Sequence, residues 1–499
     1  MQSTLKTLSF AIASAGMLTI YGCGGSDGGT AAQPTTPAPA VVVAPTPLAQ
    51  ATEFLALVDA SMATTAPASG SANAAFLDAC YLGDGATKPG LIASFDADAA
   101  QAVESRKSNI GSTRTNVQVL AERTTTNTDG SSRRELDIQY QVNYADGTVD
   151  KATTETLISG SSSGSAMGPG ATCTTPETAS NLRIYGNRAV VSASLRAVNQ
   201  RSERYSLATG APLASAVDYN KVIQFRISDP GNFAKYAVVT GPGLPSSGVK
   251  MVSPRLQRDD PLFAGKRGNN VDWQDTDNFA FCRVDATTGN LAANAADCAT
   301  QGAAGSNVGS SNKTAAVADT GFDALGFVAG GSYSVAVYND DGWKTVNGQA
   351  TQTPIATYTR TLNKLPYGAV ALAGSGVTSD VFPRVTTSLS AVQLATNIRN
   401  KVSTTMDMSW TALGTMPDAA KFGWGNVSAF VSGRATATAA TWPGSRQSAT
   451  SYPAAGATSI TNYTVPAPSS QLVTPTYGEH SVYLVNRNGA AISSVVTFE

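Results

Sequence analysis

The chain has 499 residues, with 34 Lys and Arg against 35 Asp and Glu for a net charge of −1, and only 14% of its residues are charged. That is well under the ~25% of ordinary soluble proteins. A near-neutral chain without a basic block lacks both the electrostatic footprint of a nucleic-acid binder and a polybasic membrane patch, so neither partner is expected by that route. The length suits roughly three domains, and a surface rich in Ser, Thr, Ala and Gly has the look of exported β-proteins.

At the amino terminus, Lys6 precedes an apolar run, Leu8–Ile20, that contains no charged residue. The run is too short to cross a bilayer, which needs about 20 residues in a helix, and it fits the core of a secretory signal. Ile20-Tyr21-Gly22-Cys23 follows, trailed by Gly-Gly-Ser-Asp-Gly-Gly. This pattern resembles the lipobox of bacterial lipoproteins, with Ile20 and Tyr21 where leucine and a small residue are more usual. The resemblance implies that residues 1–22 are a signal peptide and that Cys23 is lipidated, palmitate included. Gly24 rather than Asp after the cysteine implies the outer membrane of a Gram-negative envelope. The acyl chains so implied exceed the two hydrophobic signals that stable anchoring needs, making the membrane a partner through lipid alone. No later segment approaches 18 uninterrupted apolar residues.

Residues 23–51 read as a Gly-, Pro- and Ala-rich linker, extended at about 3.1 Å per residue where the prolines cluster. Apolar positions predict a helix over Leu48–Thr65 and a second over Ser94–Ser108. Leu136, Ile138, Tyr140, Val142 and Tyr144 alternate with polar residues, the pattern of a half-buried strand, between the hairpin turns Asp129-Gly130 and Asp146-Gly147. Val117–Val119 and Thr153–Ile158 are its expected neighbours, and Leu182–Asn187 and Val190–Val198 supply two more strands. Helices followed by an antiparallel meander predict an α+β domain over 52–200. In outline it is similar to cone-shaped nuclear-transport-factor-like or cystatin-like folds.

From 201 onward, short strands end in turn signals every ten residues or so, a sandwich pattern. They include Val222–Ile227, Lys235–Val239, Val249–Val252, Tyr333–Tyr338, Met406–Trp410, His480–Val485 and Ile492–Phe498. The hairpins at Asn339–Gly342 and Asn486–Gly489 resemble the last hairpin of fibronectin type III or other immunoglobulin-like modules. The fold class expected is mainly β with an amino-terminal α+β domain, then tandem immunoglobulin-like β-sandwiches at 201–345 and 346–499. The Ala/Gly/Ser/Asn stretch 286–320 reads as a long mobile insertion.

Setting Cys23 aside leaves Cys80, Cys173, Cys282 and Cys298, an even number in an oxidising compartment, which suggests two disulfides. Spacing favours Cys80–Cys173 and Cys282–Cys298, each pair within one expected domain. The second would close a loop of about 16 residues, worth around 3 kcal/mol on a chain-entropy account. The C-x₂₋₄-C spacing of zinc thiolates is missing, so no metal site or cofactor is assigned.

Signals for catalysis are sparse. His480 is the one histidine, and a Ser-His-Asp triad must use it. Gly160-Ser-Ser162-Ser-Gly164 spells a nucleophile motif, but a nucleophile elbow needs a strand before it and a helix after, and here a Ser/Gly linker continues. Gly309–Thr314 lacks the glycine spacing of a phosphate loop. The acidic and amide residues of 259–278, from Asp259 to Asn278, read as a solvated loop, with a calcium site or a carboxylate pair as rivals. The five tryptophans, Trp273, Trp343, Trp410, Trp424 and Trp442, read as sandwich-core or loop-anchoring residues, Trp410 as core, with exposure of some of Trp273, Trp343 and Trp442 to a sugar as the rival. The leading expectation is a non-catalytic envelope lipoprotein that binds a protein or envelope partner or serves structurally. The rival is a glycan-binding protein or polysaccharide hydrolase using paired carboxylates.

Overall fold

The computed structural model describes residues 45–100, 109–145, 147, 149, 152–246, 248–259, 279–281, 306–344, 353–373, 382–411, 424–434, 447–451, 457–465, 467, 474–485 and 489–499. Cys23 and the expected signal segment lie outside them, as do Cys282 and Cys298, so the second expected disulfide does too.

Helix α1, Pro47–Ser61, starts where the proline-rich stretch ends. Thr46 Oγ1 accepts the Ala49 N–H at 3.2 Å, meeting a donor that the first turn leaves orphaned, and Pro47 loses nothing at the first helical position. Ala51, Phe54, Leu55 and Val58 are buried along one face. After the short hairpin β1 (Leu82–Gly83) and β2 (Ala86–Thr87), helix α2 runs Lys88–Ala100, beginning before the predicted start at Ser94; the rest of the predicted span, 101–108, lies outside the described residues. Pro89 presets the first turn, and Leu91 and Ile92 pack on the core that α1 covers.

Strands β3 (Thr113–Thr126), β4 (Ser132–Asn143), β5 (Thr153–Ser161) and β6 (Thr178–Gly186) form an antiparallel sheet in chain order. The alternation along β4 places Leu136, Ile138 and Tyr140 in the core with α1. The loop after β5, expected as a linker, is instead packed: Ser162 and Ser165 are both fully buried. Side chains satisfy its backbone, with Asn127 Nδ2 donating to the Ser161 carbonyl at 3.1 Å and Arg183 Nη2 to that of Gly160 at 2.9 Å. Gly160 sits at φ +92°, where a Cβ would meet the Ser132 carbonyl at 2.4 Å, so only glycine fits. The Arg183 guanidinium, itself buried, is paired with Asp78 at 2.7 Å. Cys80 and Cys173 are joined, with Cα atoms 5.5 Å apart, in a small cluster with Ile158 and Tyr185.

The rest of the chain is mainly β. It runs through β7 (Ser192–Tyr205), β8 (Pro212–Ser228), β9 (Tyr236–Thr240), β10 (Val249–Val252), α3 (Pro254–Asp259), β11 (Ala280–Phe281) and β12 (Asn307–Asn312). Next come α4 (Ala315–Asp323), β13 (Ser332–Tyr338), β14 (Ala356–Thr361), α5 (Ala369–Ala373), β15 (Val385–Thr387), α6 (Ala391–Arg399) and β16 (Thr404–Trp410). Last are β17 (Trp424–Arg434), β18 (Gln447–Ser451), β19 (Ser459–Val465), β20 (Thr474–Val485) and β21 (Ala490–Phe498).

Seven of these strands make one sheet in the order β12-β8-β7-β21-β20-β17-β18, antiparallel except where β21 runs parallel to β7. One face of this sheet carries two large cores and a smaller cluster of Leu372, Phe382, Ala490 and Ile492. Over β7, β8 and β12, Ala193, Ile223, Phe225 and Val308 meet the five-stranded sheet β11-β10-β9-β13-β14. Over β17, β20 and β21, Val427, Val482 and Phe498 meet α6 and the three-stranded sheet β15-β16-β19. Met406, Met408 and Trp410 alternate inward along β16 with Ser409 and Asp407 outward, as their spacing predicts.

Two expectations about organisation change. Strand β7 crosses the boundary expected at 200/201, and the shared sheet joins strands from both sides of 345/346; residues 46–499 form one compact unit. Local alternation marks a strand but carries no information about its partner, and here the chain's last strand pairs back to β7. The insertion expected at 286–320 holds β12 and the start of α4. Its Ala/Gly/Ser/Asn composition hides a strand that needs only Val308 to face the core.

Candidate functional site

On the other face of the seven-stranded sheet the same alternation presents polar side chains, and they line an open trough of about 340 Å³. Its floor is low because β21 lines it with only Ser493 and Val495, while long side chains rise from the strands beside it. Arg196 on β7 stands opposite Gln224 on β8, with Arg226 two residues further along. The register also sets Gln200, Ser493, Tyr483 and Asn426 side by side on β7, β21, β20 and β17. The next row holds Val495, Ser481 and Ser428.

These groups are partly preorganised. Arg196 Nη1 donates to the Tyr483 hydroxyl at 3.1 Å, and its guanidinium lies 6.0 Å from the ring centre. Ser428 and Ser481 share a hydrogen bond of 2.9 Å, and Gln200 Nε2 donates to Ser202 at 2.9 Å. Ser493 on the floor is 2% exposed, and its hydroxyl has no hydrogen-bond partner. An unmet buried polar atom costs roughly 1–3 kcal/mol.

Chemically the trough offers guanidinium and amide donors, amide and carboxylate acceptors, several hydroxyls and one phenol ring. Glu479 is the one carboxylate among the lining residues, whereas glycoside hydrolysis uses two, about 5–9.5 Å apart.

The sequence-predicted groups lie elsewhere. His480 turns to the opposite face, into the second core, with its ring 5.9 Å from that of Phe498. Burial pushes its pKa down to about 4, against a smaller upward pull from Glu203. The void it lines is about 30 Å³, and the one hydroxyl there, that of Thr404, is given to the Val402 carbonyl at 3.3 Å. Ser162 is likewise committed, accepting from Glu177 N–H at 2.9 Å and donating to its carbonyl at 3.2 Å, with no histidine beside it. Trp343 and Trp410 are buried; Trp273 and Trp442 lie outside the described residues, as do positions 260–278 of the acidic segment. Asp259 is the last residue of α3. Among the described residues no group of three or more His, Cys, Asp or Glu could hold a metal ion. No helix among them is long and apolar enough to cross a membrane.

The trough residues were visible to a sequence reading as the outward partners of predicted strands, Arg196 in 190–198 and Gln224 and Arg226 in 222–227. What was missing is the pairing that brings Tyr483 to Arg196, 287 positions away. No known protein family and no curated protein matches the chain.

Proposed function

We propose that this is an exported lipoprotein, anchored through Cys23 in the outer membrane, whose β-rich body is a non-catalytic glycan-binding module. The immunoglobulin-like hairpins of its carboxyl-terminal half serve, in this reading, as scaffold for the binding face. The observation that carries it is the trough: a row of amide, hydroxyl and guanidinium groups over a floor of small residues, with the unmet Ser493 hydroxyl at its base and Tyr483 as a ring on which a sugar can lie. Sugars present many hydroxyls that each donate and accept, and such a row matches them without a metal or cofactor. A lone lining carboxylate favours holding a glycan over cleaving one.

The test is an oligosaccharide array read with purified full-length protein. Binding of a set of saccharides that weakens tenfold or more when Gln200 and Asn426 are both changed to alanine supports the reading. Absence of binding to any saccharide, or binding indifferent to those changes, overturns it. The anchor is tested separately: Cys23→Ser is expected to move the protein out of the membrane fraction and to abolish labelling by a palmitate analogue.

A further inference from the structure

We infer that the trough selects acidic glycans and holds them in one direction, with the sugar acid at its β7–β8 end. This rests on the glycan reading and adds to it the charge of the ligand and its orientation.

The charges lining the trough are segregated. Arg196 and Arg226 stand on β7 and β8. Glu479 on β20 pairs with Thr497, which lies across from Arg204, eight residues further along β7 than Arg196. At about 3.3 Å per residue the basic and acidic ends are then roughly 25 Å apart along the strand direction, well beyond the ~8 Å over which exposed charges act at physiological salt. Glu479 therefore does not neutralise Arg196. The acidic end is occupied with its own partners: Tyr477 donates to Glu479 at 2.9 Å, and Arg204 is held by Asp218 at 3.4 Å and by Glu499.

Arg196 has a different environment. Its bond to Tyr483 is to a neutral oxygen, no carboxylate among the described residues pairs with it, and a guanidinium has five N–H donors in a planar fork. A carboxylate on the ligand would take two of them in parallel, the geometry in which arginine binds oxyanions most strongly. Four residues along β7 from Arg196, the row Gln200, Ser493, Tyr483 and Asn426 crosses the sheet, and Tyr483 reaches Arg196 from it, so a sugar whose acid meets Arg196 extends its ring and hydroxyls over that row. A neutral glycan would fill the same row and leave the arginine charge unused.

The experiment titrates full-length protein with a panel of uronic-acid oligosaccharides and the methyl ester of each, which removes the charge and keeps the sugar. We expect at least one acid to bind tenfold or more tighter than its ester at low salt. That advantage should shrink in 0.5 M NaCl, as partly exposed ion pairs do. Arg196→Gln should bring the acid-to-ester ratio to within about twofold while the affinity for the ester stays near its starting value; thermal melting checks that the variant is folded. Equal affinity for acid and ester, or a preference that survives both Arg196→Gln and Arg226→Gln, overturns the inference and leaves glycan binding standing. If neither acid nor ester binds at all, the glycan reading itself falls.

Discussion

The two faces of the seven-stranded sheet are made by the same strands and differ only in which residues of each pair point which way. On one face Ala193, Phe225, Ile492 and Val482 close against covering layers. On the other their immediate neighbours, Arg226, Ser493 and Tyr483 among them, line an open trough. Even the covered face has a polar waist where its two cores meet. There Asn199 exchanges two bonds with the Tyr367 backbone, at 3.0 and 2.9 Å, and Lys221 pairs with Asp319 and Asp323, each at 3.1 Å. The contrast separates two jobs. Stability is concentrated on the apolar side, and the polar side is where the proposed ligand would be held. Changes to the two faces should therefore fail in different ways.

The hardest break is at β21. All nine of its residues are buried, and it alone links the β7 half of the sheet to the β20 half. Deleting 490–499 removes pairing on both sides and Ile492, Val496 and Phe498 from the cores. A domain's net stability is only about 5–15 kcal/mol, so the truncated chain should show no cooperative unfolding transition and should be degraded by protease under conditions that spare the full chain. A cooperative melt from the truncation would mean the two halves fold independently. Phe498→Ala is the milder version: the ring is 1% exposed and stacks on Tyr205 at 5.7 Å, so about 3–5 kcal/mol should be lost in denaturant unfolding.

How much of this was legible in the chain follows from what alternation can and cannot carry. Strands β4, β8, β16 and β20 declare themselves, because a half-buried strand must alternate, but the sequence reading finds only the apolar ends of β8 and β20, which begin at Pro212 and Thr474, well before the predicted Val222 and His480. The partnerships do not declare themselves. Nothing local in Ile492–Phe498 says that its second edge belongs to β7, so a shared sheet was read as two separate modules. Strand β12 went unseen because Asn-Val-Gly-Ser-Ser-Asn offers a single apolar side chain. The trough fares the same way: Arg196, Gln224 and Arg226 lie within the predicted strands 190–198 and 222–227, and only the pairing of β8, β7 and β21 turns them into a wall. His480 drew attention as the lone imidazole, and its burial beside Phe498 gives it a packing role instead.

That histidine also supplies a pH test confined to the covered face. Its folded pKa is about 4 and its ordinary value 6.5, so between those pH values the unfolded chain binds the proton and the folded chain does not. The contribution of the neutral imidazole is complete above pH 6.5 and is lost as pH falls toward 4, a change of roughly 3 kcal/mol. Urea unfolding followed from pH 7 to pH 4 should show that decline in the native protein, and His480→Leu should flatten most of it. An equal slope in both proteins would place the acid sensitivity elsewhere.

The smallest effect should come from the trough face. Arg196→Ala removes a half-buried side chain whose direct partner is the Tyr483 hydroxyl, on a side of the sheet where no covering layer is left with a cavity. Its next neighbour along β7, Ala197, is 1% exposed and faces the first core. Adding a charge there, as in Ala197→Asp, should cost several kcal/mol, because an unpaired carboxylate would be taken out of water. Arg196→Ala, one residue away, should change unfolding free energy by about 1 kcal/mol or less and appear chiefly in ligand titrations. The pair of variants compares the two faces at adjacent positions of one strand. If Arg196→Ala destabilises the protein as much as Ala197→Asp does, the polar face is part of the structural core and the division of labour between the faces is wrong.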